Sequence, residues 1–220
     1  MCPAAGQKTA ESYSYAFCTG GCAQFQVNIT QVKMRTSFSH LLLWLLPVIG
    51  AQVAHWGPCP EPAVQQNFNL EKYLGKWYEI AKLPAQFEKG RCIEVNYSIR
   101  ADGTIEVYGT EILKEELRSV EGTAVVEDIS EPAKMGVTFS YTVTPYSPYW
   151  VLSTDYQHSA LVYSCTDILR LFHVDFAWIL SRTRSLPPDT IRKAKDLFTN
   201  SSIDVSKMIM TQQQGCDKDL

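Results

Sequence analysis

Apolar and polar residues alternate along much of the chain after Cys92, with the period of two that is typical of half-buried β-strands. The clearest segment is 93–100, where Tyr97 and Ile99 fall on the predicted inner face and Glu94 falls on the polar outer face. One face of this strand is therefore expected to pack against a core, while the other meets solvent.

Turn residues divide the rest of this region into further strands. Asp102-Gly103 predicts a tight hairpin turn, and Glu131-Pro132 interrupts the apolar pattern. Eight short strands joined by short turns favour an all-β fold, an antiparallel up-and-down β-barrel or a β-sandwich. The strands are predicted at 75–79, 93–99, 105–109, 120–127, 134–143, 149–152, 159–165 and 176–182.

The strand around Trp77 is the exception to clean alternation. Trp77 shares its parity with Glu79, so an indole and a carboxylate would lie on one face. The pattern alone therefore leaves the two faces of this strand unassigned.

One helix is predicted near the C-terminus. Pro187 and Pro188 are tolerated in a first helical turn, and the acidic Asp189 is favoured there. Apolar residues then recur at helical spacing, at Ile191, Ala194, Leu197 and Phe198. A single helix after eight strands is expected to pack on the outside of the barrel, and the tail 203–210 is expected to add an edge strand.

Composition narrows the class of protein. The chain has 220 residues, is 45% hydrophobic and carries a formal net charge of -3. These values suit one medium-sized domain with a substantial core. Because there is no basic excess, a nucleic-acid partner is not expected.

Residues 34–51 have the pattern of a secretory signal peptide. Arg35 supplies the positive start, 41–49 the apolar segment, and Gly50-Ala51 the small-residue cleavage site. The apolar segment is shorter than the roughly 20 residues that cross a bilayer. We therefore predict a secreted protein that begins at Gln52, cyclised to pyroglutamate, with 52–220 as its single domain.

Residues 1–33 fit no targeting pattern. The interpretation adopted here is an upstream extension that is missing from the mature protein, with Met34 as the working start. The alternative is a cytosolic tail that turns the apolar segment into a signal anchor.

Four cysteines remain in the predicted mature chain, and they imply two disulfides in a secreted protein. They are Cys59, Cys92, Cys165 and Cys216, and sequence alone allows three pairings. No Cys-x-x-Cys pair occurs among them, so no metal site is expected.

Asn96-Tyr97-Ser98 and Asn200-Ser201-Ser202 are acceptors for N-glycosylation at Asn96 and Asn200. A glycan at Asn96 requires the outer face, which places Tyr97 inside.

Three short motifs carry a family resemblance. Gly75-Lys76-Trp77-Tyr78, Thr154-Asp155-Tyr156 and the strand-ending Arg182 resemble, in order and spacing, the three signatures of the lipocalins. Longer runs extend the resemblance from Cys59 to Cys216, at 72–80, 130–134, 148–150, 160–165 and 171–180.

The resemblance implies an eight-stranded barrel with a lipid-binding cavity. It also implies disulfides Cys59–Cys165 and Cys92–Cys216. Finally, it implies that Arg182 stacks over Trp77 at the closed end, a cation–π contact worth about 1 kcal/mol. The barrel-floor signature comprises Gly75, Trp77, Thr154, Asp155, Tyr156 and Arg182.

Four aromatic residues are the candidate ligand contacts. Alternation points Tyr97, Phe139 and Trp178 inward, with Tyr149 at the rim. A barrel of eight strands can fill itself or hold one ligand, and the resemblance favours a cavity. An aromatic, apolar cup with phenol hydroxyls suits a hydrophobe with one polar end, such as arachidonate among fatty acids or progesterone among steroids.

The hairpin 168–172 is predicted to lie at the open rim. If exposed, Leu169, Leu171 and Phe172 would form an apolar patch that touches a membrane or a lipoprotein particle. The alternative is that these side chains simply complete the two strands.

An enzyme is the rival class, because some lipocalins isomerise prostaglandins with a cysteine inside the cavity. Here all four mature cysteines are assigned to disulfides, so no nucleophile remains. His55, His158 and His173 are expected in solvated positions rather than in catalysis, and no cofactor is expected. A third possibility is an interaction module that uses the rim patch and has a filled core.

Overall fold

The computed structural model describes residues 53–139 and 146–216, which form ten strands and two helices. The predicted signal peptide, the upstream extension and Gln52 lie outside the described residues, as does the end of the strand predicted at 134–143. The strands are β1 Val53–Trp56, β2 Gly75–Lys82, β3 Arg91–Ile99, β4 Ile105–Leu113, β5 Glu116–Val126, β6 Lys134–Phe139, β7 Ser147–Thr154, β8 Ser159–Ile168, β9 Phe172–Ser181 and β10 Ile209–Met210. The helices are α1 Leu70–Tyr73 and α2 Pro188–Asn200.

Strands β2 to β9 form a closed antiparallel barrel. Each strand pairs with the next in sequence, and β9 returns to pair with β2, with Tyr78 opposite Ser181 and Lys82 opposite Trp178. This closure confirms the predicted up-and-down barrel and excludes the sandwich, whose two sheets would keep separate edges.

Two short strands extend the barrel at its edges. The first part of β9 pairs with β1, which places His55 opposite His173. Strand β10 pairs with the end of β2, with Ile209 opposite Lys82. The edge strand predicted across 203–210 thus reduces to two residues, and β1 was not predicted because four residues show no measurable alternation.

The last hairpin is longer than predicted. Strand β9 begins at Phe172, whereas the sequence predicted a start at 176. The prediction was too short because His173 and Asp175 interrupt the apolar pattern, although both side chains are buried. The turn between β8 and β9 comprises residues 169–171, since Ile168 pairs with Phe172, and Leu169 and Arg170 take left-handed φ angles of 55° and 57°.

A β-bulge explains the irregular pattern of β2. The register with β9 shifts between Glu79 and Ala81, and residues 79–82 are all buried. The shift brings the Lys82 ammonium within 3.1 Å of the Glu79 carboxylate. Sequence alternation could not assign these faces because the bulge changes parity in the middle of the strand.

Two of the predicted inner and outer positions in β3 are wrong. Tyr97 is buried as predicted, but Ile99, predicted inside, is 50% exposed at the end of the strand. Glu94, predicted on the wet face, is buried because Lys76 and Arg184 cover its carboxylate with ion pairs of 2.6 and 3.2 Å.

Helix α2 and the disulfides complete the fold. The helix begins at Pro188, and its Ala194 and Phe198 belong to the same buried core as the outer face of β9, so the predicted packing outside the barrel is confirmed. Cys59–Cys165 and Cys92–Cys216 are both formed, as the family resemblance implied. Among the described residues, neither helix has the length and apolar character needed to cross a membrane.

Candidate ligand-binding site

The described side chains leave a cavity of about 530 Å³ inside the barrel. All four predicted ligand contacts, Tyr97, Phe139, Tyr149 and Trp178, line this cavity. Val107, Val137 and Leu180 add aliphatic wall. The part of the barrel that the structure describes is therefore not filled by its own side chains.

The closed end is built around Trp77 and Arg182. Trp77 is fully buried, and the Arg182 guanidinium carbon lies 3.7 Å from the centre of the indole ring. The guanidinium also donates hydrogen bonds to backbone carbonyl oxygens at the closed end, those of Lys72, Tyr73, Leu74, Lys76 and Tyr156. The charge is thus satisfied by fixed dipoles, and the predicted stack is present.

Gly75 allows this close approach. Its φ is +89°, and a Cβ at this position would lie 3.5 Å from an Arg182 nitrogen. A Cβ would therefore fit, and glycine is favoured as the first residue of β2 because of the left-handed φ angle.

Hydrogen bonds of the turn 154–156 stabilise the other side of the closed end. One carboxylate oxygen of Asp155 accepts the N–H groups of His158 and Ser159 at 2.8 and 2.9 Å. The Thr154 hydroxyl donates to the Ser159 carbonyl, and the Tyr156 hydroxyl accepts the N–H of Asn69. These hydrogen bonds stabilise the turn and its contact with the segment at Asn69. None of the six signature residues lines the cavity.

Three phenols meet on the inner side of the closed end. The Tyr149 hydroxyl lies 2.5 Å from that of Tyr97 and 2.9 Å from that of the fully buried Tyr73. Burial raises the pKa of all three phenols, so they are neutral at physiological pH. Tyr149 was predicted at the rim, which is wrong for its side chain: the ring lies in this cluster, with its hydroxyl bonded to Tyr97 and to the fully buried Tyr73, and its backbone pairs with Met135.

A second polar group in the wall contains buried charges. Lys82 lies between two glutamates, with its Nζ 3.1 Å from Glu79 and 3.4 Å from Glu88. The Trp178 indole N–H donates to Glu88 at 3.0 Å, and the Thr211 hydroxyl donates to Glu79. We call Glu79, Lys82 and Glu88 the carboxylate cluster.

Glu79 has an unusual affinity for protons. Burial and, secondarily, the charge of Glu88 raise the pKa of Glu79 to about 8, although Lys82 opposes the rise. Sequence reasoning missed this group. The only signal was that Glu79 shares its parity with Trp77, but the pattern left the faces of this strand unassigned.

The rim hairpin is exposed as predicted. Leu169 and Leu171 are 84% and 61% exposed, and Phe172 is half-buried beside them. Trp56, which pairs with Phe172 across β1 and β9, is 90% exposed and was not predicted. We call Trp56, Leu169, Leu171 and Phe172 the rim patch.

The predicted glycosylation sites lie on the outer surface. Asn96 is half-buried on the face of β3 opposite to Tyr97, and Asn200 is exposed at the end of α2. Glycosylation of either site remains a prediction.

The histidines differ from expectation. His158 lies in an exposed turn, as predicted. His55 and His173 were predicted in solvated positions, which is wrong: they lie in β1 and β9, and His173 is buried because β1 covers it. Neither lines the cavity.

The arrangement offers no cysteine nucleophile. The four cysteines of residues 53–139 and 146–216 all form disulfides, and none lines the cavity. The cavity wall thus combines aliphatic and aromatic surface with neutral hydroxyls and the carboxylate cluster, which suits binding of a hydrophobe with one polar end.

Comparisons with known proteins agree with this geometry. The family model for a lipocalin-like domain matches residues 68–213. Apolipoprotein D of Cavia porcellus is 49% identical over 177 residues, which is 80% of this chain and 93% of that protein. The bilin-binding protein of Pieris brassicae is 31% identical over 173 residues, 77% of this chain and 91% of that protein. Among solved structures, insecticyanin from the tobacco hornworm Manduca sexta aligns with a TM-score of 0.65 and 28% identity, over 73% of this chain and 89% of that one.

Proposed function

The chain belongs to the lipocalin family, and from this premise we propose that it is a secreted carrier that holds one small hydrophobic molecule in its cavity. The observation that carries the proposal is the cavity of about 530 Å³, which is within the size range of small-molecule sites and is walled mainly by apolar side chains. Two disulfides and a signal-peptide pattern support an extracellular location.

Fatty acids such as arachidonate and steroids such as progesterone are the proposed ligands. The neutral phenols of Tyr97 and Tyr149 can donate to, or accept from, an uncharged polar group such as a steroid ketone. The aliphatic and aromatic walls take up the rest of the molecule. Similarity to apolipoprotein D and to a protein named for bilin binding supports this class of ligand.

The two ligand types should bind with different orientations. An ionised fatty-acid carboxylate is repelled by Glu88 and by the ionised fraction of Glu79, so it should avoid the carboxylate cluster. Arg118, exposed in β5 close to the β4–β5 hairpin, is a cation of the cavity wall at the open end. We expect the fatty-acid carboxylate near Arg118 and its chain inside the barrel.

The rim patch gives the carrier a surface for lipid exchange. In an up-and-down barrel the β8–β9 hairpin and the start of β7 lie at one end, which is the open end of the cavity. Trp56, Leu169 and Leu171 expose apolar side chains there. We propose that this patch contacts lipoprotein particles or membrane surfaces, so that a ligand passes between lipid and cavity without crossing water.

Catalysis is the second candidate function, and the described residues give it little support. A lipocalin-type isomerase would need a thiol inside the cavity, whereas the cysteines here are in disulfides. A thiol titration of the secreted protein should find no reactive thiol, and a cavity thiol would favour the enzyme.

Ligand titration tests the proposed function. Progesterone and arachidonate should each quench tryptophan fluorescence with a stoichiometry of one per chain. In Arg118→Ala, arachidonate should bind several-fold more weakly, while progesterone should bind as it does to the parent. Failure of both ligands to bind the parent would contradict the carrier, and equal effects of Arg118→Ala on both would contradict the orientation alone.

A further inference from the structure

Two histidines and an aspartate converge on the outer wall of the barrel. His55 in β1 lies opposite His173 in β9, with the ring centres 5.5 Å apart and nearly parallel. Asp175 follows two residues after His173, so its side chain lies on the same face of β9. One oxygen of Asp175, Oδ2, lies 3.5 Å from Nε2 of His173 and 3.8 Å from Nε2 of His55.

Neighbouring groups fix the orientation of the inner two ligand candidates. Nδ1 of His173 lies 2.9 Å from the Gly57 carbonyl oxygen, which can only accept, so Nδ1 carries the proton and Nε2 points at Asp175. Oδ1 of Asp175 accepts the hydroxyl of the fully buried Tyr163 at 2.5 Å, which leaves Oδ2 for another partner.

Nε2 of each histidine thus faces the same carboxylate oxygen, at separations longer than an ordinary hydrogen bond. Nε2 of His55 is buried and has no hydrogen-bond partner among the described residues. Asp175 is almost completely buried, so solvent does not stabilise its charge. A cation placed among the three atoms would satisfy all of them at once.

We propose that His55, His173 and Asp175 bind a divalent transition-metal ion, with Zn²⁺ as the best match. Two imidazole nitrogens and one carboxylate are ligands that Zn²⁺ prefers. Ligand atoms about 2 Å from a tetrahedral ion stand roughly 3.3 Å apart, close to the two separations from Asp175. His55 lies outside the group of ligand atoms that are all within 4.8 Å of one another, so its ring has to move inward for all three residues to share one ion. The hydrogen bonds from His173 to Gly57 and from Tyr163 to Asp175 are the outer contacts that typically orient metal ligands.

His55 forms the outer side of the site, since its side chain is 26% exposed although its Nε2 is buried. An ion therefore enters by displacing this ring, and water can then take a fourth position. Cys165 lies beside His173 and Asp175, but its sulfur is bonded to Cys59 and supplies no thiolate. A metal site was not expected from the sequence because the two histidines are 118 positions apart and meet only when β1 pairs with β9.

The metal would also act on the rim patch. His55 directly precedes Trp56, and β1 is attached to the barrel through β9. An ion that joins His55 to His173 and Asp175 therefore holds Trp56 next to Phe172. The site is thus suited to making the order of the rim patch depend on zinc.

Zinc titration of the secreted, disulfide-intact protein tests the proposal. Competition with a chromophoric chelator should show one Zn²⁺ per chain, and Co²⁺ should give the intense visible absorption of tetrahedral coordination. His55→Gln should weaken binding at least tenfold and should fold normally, because its side chain is partly exposed. His173→Gln should do the same if it folds.

His158→Gln is the matched control, since His158 is exposed and pairs with Asp155 away from this cluster. It should bind Zn²⁺ as the parent does. Parent-like affinity in His55→Gln, equal loss in His158→Gln, or binding only at millimolar Zn²⁺ would each overturn the proposal. Ligand titration of the cavity is independent of all these outcomes.

Discussion

The closed end of the barrel contains the half-buried charge of Arg182, the carboxylate cluster contains the buried Glu79 and Lys82, and the two regions match their charged groups differently. Arg182 lies on the Trp77 ring and donates to five backbone carbonyl groups, so its charge is matched by fixed partners. Glu79 and Glu88 share the single ammonium of Lys82 in the cavity wall. The first arrangement stabilises the fold, whereas the second has one more carboxyl group than its ammonium can match, so Glu79 keeps its proton until the pH approaches its pKa of about 8.

This contrast separates a region built for stability from one built for binding. A charge with complete hydrogen bonding makes a rigid floor. An incompletely matched charge in a cavity is common at functional sites, because it can respond to a ligand or to pH. We therefore expect changes at the closed end to act on folding and changes around the cavity to act on ligand or pH dependence.

The largest effect is expected when the floor is broken. Trp77→Ala removes a fully buried indole and the surface on which Arg182 lies, which should lower the free energy of unfolding by about 3–5 kcal/mol. Chemical denaturation followed by circular dichroism measures this loss. A variant as stable as the parent would mean that the closed end does not carry the stability assigned to it.

A smaller, pH-dependent effect is expected at the carboxylate cluster. The pKa of Glu79 is about 8 in the folded protein, above its ordinary value near 4.5, so between about pH 4.5 and pH 8 the folded state binds one proton that the unfolded state releases. This contribution to stability is fully present below about pH 4.5 and is lost as the pH rises through about 8, by at most about 1.4 kcal/mol per pH unit.

Glu79→Gln tests this sign. The variant should gain stability relative to the parent as the pH is raised from 5 to 8, as measured by melting curves at each pH. Glu71→Gln changes an exposed carboxylate in α1 and should follow the parent. If the difference between parent and Glu79→Gln is constant with pH, Glu79 does not titrate as described.

The smallest effect on folding is expected at the rim patch. The double variant Leu169→Ser/Leu171→Ser changes two exposed side chains and should leave stability within about 0.5 kcal/mol. It should nevertheless bind phosphatidylcholine vesicles several-fold more weakly in a flotation assay. Ile129→Ser is the control, because Ile129 is 93% exposed between β5 and β6, at the opposite end of the barrel. Equal weakening by the control would contradict a specific contact surface.

The same contrast explains what the sequence could predict. Tyr97, Phe139 and Trp178 lie on strands with clean alternation, so their inward faces followed from the period of two. The floor residues followed from motifs that a family shares. Both kinds of signal are local in sequence.

The missed residues depend on contacts that are distant in sequence. Glu79 and Lys82 meet because of a bulge in β2, which alternation does not reveal. His173 was predicted in a solvated position and Asp175 was not singled out, yet β1 pairs with this part of β9 and both side chains are buried. Trp56 belongs to β1, which among the described strands pairs with β9 alone. Pairing at long range, rather than residue type, placed these side chains.

The central claim is that the cavity beside Trp178, and not the closed end, holds the ligand. Trp178 lines the cavity and is only partly buried, so Trp178→Ala should leave the fold intact and weaken binding by about 1–3 kcal/mol, roughly 5- to 150-fold. Titration of progesterone and arachidonate against parent, Trp178→Ala and Trp77→Ala, with melting curves for each, is the direct measurement. We expect Trp178→Ala to lose affinity at parental stability and Trp77→Ala to lose stability. Parental affinity in Trp178→Ala, together with loss of ligand in a fully stable Trp77→Ala, would contradict the claim.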